Sequence, residues 1–303
     1  MKCVGIQHLE AVWRLKSSGK RLKRTIHLSY VPDEEIGGKD GMESFVKTSH
    51  FDALNIGFAL DEGLASPGDA CMAYYGERAA WWIAAETKGI TGHGSQLFRQ
   101  TAVDQLLHFL QKYVDWRQTE SDRLHAPGSS LKLGDVTTVN INMIKAGAFS
   151  EDGITWQNNI IPSSAKAGVD MRIAPHVDLK QLEKELYEHA AQYGVEITIL
   201  QAMRSNPVTS TDPNQNPWFA AFHNTCSKFH LKTELAIFPA ATDARFLRAK
   251  GIPAIGFSPM NHTPVLLHDH NEFLNEHIFL KGLDFFTALV ECLGSLGEHI
   301  MDK

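Results

Sequence analysis

The residues best suited to chemistry in this sequence are carboxylates placed at the ends of apolar runs. Asp33, Glu34 and Glu35 follow Thr25, Ile26, Leu28, Tyr30 and Val31, a β-branched, apolar stretch that reads as a buried strand. Pro32 closes that stretch, and Gly37 and Gly38 permit a sharp turn after the acids. Asp61 and Glu62 stand in the same relation to the apolar run 55–60 and are followed by Gly63. Open α/β folds put their chemistry beyond the C-terminal ends of strands. Adjacent carboxylates there can divide the work, one as general base and one as metal ligand. Two imidazoles extend the set: His93 in the glycine-flanked segment TGHGS at 91–95, and His268 in LLHDH at 266–270. Carboxylates and imidazoles spread along a sheet edge suit a hydrolytic zinc site. Each has a plain structural alternative: acids complementing a helix dipole, and an exposed loop histidine.

The elements that must position these residues follow from periodicity. A helical pattern through Val4, Ile6, Leu9, Val12, Trp13 and Leu15 runs to Gly19, before the strand at 25–31. A short helix over 41–48 and a strand over 55–60 come next. The middle of the chain reads as strand 79–88, helix 102–116, strands 136–144 and 165–173, helix 179–190 and strand 195–200. That β-α-β-β-α-β order is the split βαβ sandwich. Afterwards come a helix over 218–229, strands 235–238 and 252–257, and a long helix over 272–293. The expectation is an α/β catalytic domain over 1–76 and 201–303, interrupted at 77–200 by an inserted ferredoxin-like domain with one sheet face free for a partner.

Bulk properties narrow the function. A net charge of -6 and a pI near 6.2 argue against nucleic acid or an anionic membrane as partner. Cys3, Cys71, Cys226 and Cys292 are scattered with no CxxC pair, which predicts reduced thiols and a cytoplasmic setting. No apolar run is as long as a membrane span, and Gln7, His8 and Glu10 interrupt what a signal peptide would keep apolar.

Taken together, VPDEEIGG, FALDEG, TGHGS, NNIIP, ATDARF and SPMNHTPVLLHDH resemble the cytosolic aminoacylases. These are N-acyl-L-amino-acid amidohydrolases in a dinuclear-zinc metallohydrolase family that includes carboxypeptidases and deacylases. The similarity runs in register from Met1 to the C-terminal helix, with extra residues near 151–157. It implies hydrolysis of the amide bond of N-acyl-L-amino acids with two zinc ions per site. Glu34 matches the general base, Glu35 and His268 the ligands of one zinc, and Asp61 a ligand of the other. His93 matches a histidine that polarises the scissile carbonyl in a partner subunit, so a homodimer through the inserted domain is implied. Asn159, Arg172 and Arg245 match substrate-binding positions, where an arginine fork suits a carboxylate. Arg172 could equally be an ordinary strand-end salt-bridge residue, His270 and Asp269 read as supporting residues, and Glu62 could orient a ligand or be solvated.

The family pattern also needs an upstream histidine and a metal-bridging aspartate, which in relatives precede the segment matched by Met1. The expectation from the sequence is therefore an N-terminally truncated chain with an incomplete metal site and weak or no activity by itself. Two alternatives accompany it: a non-catalytic dimerisation partner of a full-length relative, and a dipeptidase or carboxypeptidase of the same family.

Overall fold

The computed structural model describes residues 2–150 and 153–297. In chain order the elements are α1 (Lys2–Ser17), α2 (Met42–Phe45), α3 (Ser49–Ala53), β1 (Ala59–Asp61), β2 (Cys71–Glu77), β3 (Ala79–Lys88) and β4 (Gly92–His93). Then come α4 (Ala102–His125), β5 (Thr138–Ala146), β6 (Ile160–Ile161), β7 (Ser164–Ile173), α5 (Leu179–Gln192) and β8 (Glu196–Ala202). The chain closes with α6 (Pro217–Lys228), β9 (Thr233–Phe238), α7 (Ala244–Ala249), β10 (Ala254–Phe257) and α8 (Glu276–Gly294). The fold is α/β. The chain divides into two compact units, one of Met1–Gly76, Pro207–Phe238 and Thr242–Lys303, the other of Glu77–Asn206 with Pro239–Ala241.

The first unit is built on a four-stranded sheet in the order β1-β10-β2-β9. β1 runs parallel to β10, with Asp61 opposite Gly256, so the open end of β1 delivers the Asp61-Glu62 pair. Its core joins Val4 and Ala11 of α1, Phe222 of α6, Phe257 of β10 and Phe285, Phe286 and Leu289 of α8. The rings pack edge-on, Phe222 to Phe257 at 4.9 Å, a geometry that adds to area burial.

The second unit has a sheet in the order β5-β7-β3-β8, with each neighbouring pair antiparallel. β7 shows why one face is covered: Ala165, Ala167, Val169, Met171 and Ile173 are buried, and the residues between them are more exposed. The buried face meets Leu106, Phe109 and Tyr113 of α4 and Leu186 of α5. Asp178 caps α5 by accepting from the amides of Lys180 and Gln181. A separate two-stranded ribbon pairs β4 with β6.

The structure corrects two expected strands and adds three, β2, β4 and β6. Residues 25–31 are extended but unpaired: they make no main-chain hydrogen bond among the described residues. The run 55–60 is ladder-bonded only from Ala59. In both, the side-chain pattern is strand-like, but a strand also needs a neighbour to bond. β2 was not anticipated; Gly76 sits in it because a side chain there would strike Val208 and Ile237.

Candidate active site

The first acidic cluster sits on a tight turn. Glu34–Ile36 forms a single 3-10 turn, and Gly37, at φ 109°, closes it by donating its amide to Glu34 O at 3.0 Å. Asp33 anchors the turn: its carbonyl accepts from the Gly38 amide at 2.8 Å and its Oδ2 from the Asp40 amide at 2.7 Å. Gly38 must lack a side chain, because a Cβ there would collide with the Asp243 carboxylate. The glycine pair therefore brings Glu34 against a second carboxylate from far along the chain.

Four acids of the first unit line one cavity of about 590 Å³: Glu34, Asp61, Glu62 and Asp243. Burial pushes Glu34 up to about 7, with repulsion from Asp243, Glu35 and Asp61 adding to it. Glu62 is pushed up to about 9 by burial first and then by its hydrogen bond to Asp61. Asp243 rises to about 6, again mainly by burial. It is only 5% exposed, and neither of its carboxylate oxygens has a hydrogen-bond partner. A group in that state is a standing cost of about 1–3 kcal/mol, of the kind found at functional sites.

Asp61 differs from its neighbours. Its Oδ1 accepts the Glu62 amide at 2.9 Å and its Oδ2 the Ala244 amide at 2.9 Å. Both oxygens thus help hold the end of β1 to the start of α7, and the adjacent Glu62 is the acid whose burial raises its pKa furthest. His8, on α1, lines the same cavity. Its ring meets Phe286 edge-on at 4.3 Å, its Nε2 is buried without a partner, and burial pulls its pKa down to about 4. Sequence reasoning did not pick out Asp243 or His8. The signal for Asp243 was the ATDARF motif, and for His8 a polar residue in an otherwise apolar helical stripe.

Glu35 and His268 meet directly, Nε2 to Oε2 at 2.9 Å, on the exposed side of the turn. His268 is held at φ 59°, a left-handed conformation uncommon for a residue with a side chain. Arg245 donates to Thr242 O at 2.7 Å and to Gly37 O at 2.8 Å, tying the ATDARF loop to the acidic turn.

The remaining expected residues belong to the second unit. His93 is exposed, and its Nδ1 is 2.8 Å from Ser95 Oγ. The β4–β6 ribbon brings Asn159 beside it: the Gly94 amide donates to Asn159 O at 2.6 Å. Arg172 points its fork at Asp170, Nε to Oδ1 at 2.8 Å and Nη2 to Oδ2 at 3.0 Å. Its carboxylate-binding geometry is therefore already engaged within the chain.

Among the described residues no group of three or more His, Cys, Asp or Glu converges as a metal ion would require. Glu35 and His268 supply two donors, whereas a catalytic zinc takes three protein ligands. The described residues do not by themselves fit a complete zinc centre. All four cysteines are free, and no described helix is long and apolar enough to cross a membrane.

Comparison with known proteins gives concordant matches. The profile of Peptidase family M20/M25/M40 matches residues 1–291. Aminoacylase-1 of Sus scrofa is 48% identical over 298 residues, covering 98% of this chain and 70% of that protein. Aminoacylase-1 of Homo sapiens is 46% identical over 298 residues, covering 98% and 71%. Among solved structures, an M20 family metallo-carboxypeptidase from Sulfolobus solfataricus superposes with a TM-score of 0.68 at 15% identity, covering 96% of this chain and 75% of that one. At that identity the likeness speaks for the fold.

Proposed function

The chain belongs to peptidase family M20/M25/M40, and on that footing we propose that it hydrolyses the amide bond of N-acyl-L-amino acids, releasing a carboxylate and a free L-amino acid. The observation that carries this reading is the 46–48% identity to aminoacylase-1 proteins across 98% of the chain.

Glu34 is the general base. With its pKa near 7 it can take a proton from the attacking water at neutral pH and return it later. The water oxygen bonds to the amide carbon, the carbon–nitrogen bond breaks, and the proton goes to the departing amine. Asn159, Arg172 and Arg245 are proposed to bind substrate carbonyl or carboxylate, and His93 to polarise the carbonyl in a homodimer. Glu35 and His268 are the pair that would face a divalent ion, zinc by the family resemblance; because the described donors do not complete that centre, no step is routed through it. The free thiols support a reducing, cytoplasmic setting.

The test is release of free amino acid by the purified 303-residue chain from a panel of N-acyl-L-amino acids, with dipeptides alongside. Weak turnover of acyl-amino acids that disappears in Glu34→Ala is expected, because the described donors do not complete the metal centre. Turnover of dipeptides alone, or activity surviving Glu34→Ala, would overturn the assignment. The incomplete donor set favours one second reading, a non-catalytic partner that dimerises with a full-length relative. Silence toward every substrate, together with co-elution with such a relative, would establish it.

A further inference from the structure

Between Gly147 and Asn159 the second unit carries a short hairpin for which the hydrolytic reading has no role. Phe149 and Trp156 face each other across an antiparallel bridge, with ring centroids 3.9 Å apart. The Gln157 amide donates to Ala148 O at 2.9 Å and the Ser150 amide to Thr155 O at 2.8 Å, so main-chain bonds fix the pair. Gly147, at φ 121°, lies so close to Trp156 that a Cβ there would collide with the indole. The ring is thus held in place, yet Trp156 is 52% exposed, Phe149 43% and Ile154 80%. Apolar groups that are already ordered and still wet lose little further freedom when they are covered.

This surface leads directly into residues assigned above to the substrate carbonyl. The Ile160 amide donates to Gln157 O at 3.2 Å, closing a turn whose ends lie within about 7 Å of each other. Ile160 is in turn the β-partner of His93, and Asn159 sits inside the turn. We propose that Phe149, Ile154 and Trp156 form the subsite for the acyl group, and that the favoured substrates carry an aromatic ring there, stacked on Trp156. The inference rests on the hydrolytic reading and names the substrate class for that same site. The acyl group is the uncharged half of the substrate. From Gly147 to Asn159 the sequence holds Glu151 and Asp152 and no Lys or Arg, so this segment offers nothing to the amino acid's carboxylate. A ring laid on Trp156 gains both burial and stacking.

Two measurements on the purified chain test this. One is kcat/KM for N-benzoyl-L-alanine against N-acetyl-L-alanine. The other is the indole N–H resonance of Trp156, assigned from Trp156→Phe and titrated with each compound. A benzoyl preference is expected that falls about tenfold in Trp156→Ala, mainly through KM, and is partly kept in Trp156→Phe. Gly147→Ala should lose it as well, by displacing the indole. The Trp156 resonance should shift saturably with the benzoyl compound and not with the acetyl one. Turnover without that shift, or with a preference untouched by Trp156→Ala, would overturn the subsite and leave the hydrolytic reading standing. A saturable benzoyl shift with no turnover of either compound would support the subsite and sink the hydrolytic reading. A resonance that follows protein concentration and not ligand would mark a contact between copies of the chain and overturn the proposal.

Discussion

Glu62→Gln should make this protein more stable at neutral pH, although it removes a residue beside the proposed active site. In the folded chain Glu62 is held protonated, with a pKa near 9, by burial and by the hydrogen bond it donates to Asp61. In the unfolded chain the same carboxyl ionises near 4.5. Folding therefore takes up a proton, and stability is fully present below 4.5 and is lost as pH rises toward 9. From 4.5 to pH 7, at about 1.4 kcal/mol per pH unit, the penalty reaches about 3 kcal/mol. That figure requires only that the folded pKa lie well above 7. Glutamine keeps the shape and can keep donating to Asp61, so it removes the penalty without opening a cavity. Urea unfolding of metal-free protein at pH 5 and pH 7 reads this out. Expected is a variant about 3 kcal/mol more stable than wild type at pH 7 and within about 1 kcal/mol at pH 5. Equal stabilities at both pH values would refute the assignment of a protonated buried acid.

His8 acts in the opposite pH range. Its folded pKa near 4 lies below the unfolded 6.5, so the protein should lose about 3 kcal/mol as pH falls from 6.5 to 4, and His8→Phe should flatten that slope in urea melts. Phe286→Ala, at a fully buried position between α1 and the rest of α8, should cost about 3–5 kcal/mol by chemical denaturation. Asp178→Ala removes the two amide contacts that cap α5 and should cost about 1 kcal/mol by the same measurement. Gly63→Ala should lower stability and activity together, because a Cβ there would lie 2.9 Å from the Ser258 nitrogen and push β10 away from Glu62.

Much of the candidate site is legible because carboxylates at the ends of apolar runs announce themselves. Glu34, Glu35, Asp61 and His268 are candidates on that ground or by matching motifs, and the fold brings Glu35 to His268 and Asp61 to Glu34's neighbourhood. What the sequence did not announce was which acid bears the burden. Asp61 and Glu62 are adjacent and equally acidic in one dimension. Only in three dimensions does Asp61 receive the amides of Glu62 and Ala244, leaving its neighbour desolvated. Asp243 is hidden for a related reason: its burial depends on Gly38 approaching from a distant turn. Arg172 was read as a candidate clamp for a carboxylate, and it does clamp one, that of Asp170 two residues away.

The same distinction between residue and neighbour explains the strands. β7 was read directly, because alternation of buried and exposed side chains is a property of one strand against one layer, and α4 and α5 supply that layer within the same stretch of chain. Residues 25–31 carry an equally good apolar, β-branched pattern and remain unpaired. Propensity measures how well side chains fit a pleated, half-buried surface; it says nothing of whether a partner edge is present. A segment with strand chemistry and no ladder is therefore no failure of local reasoning, since the local reasoning specifies a half-interface. The unmatched half lies next to a second open edge, on β1, along a cavity lined by Asp243, whose carboxylate has no hydrogen-bond partner.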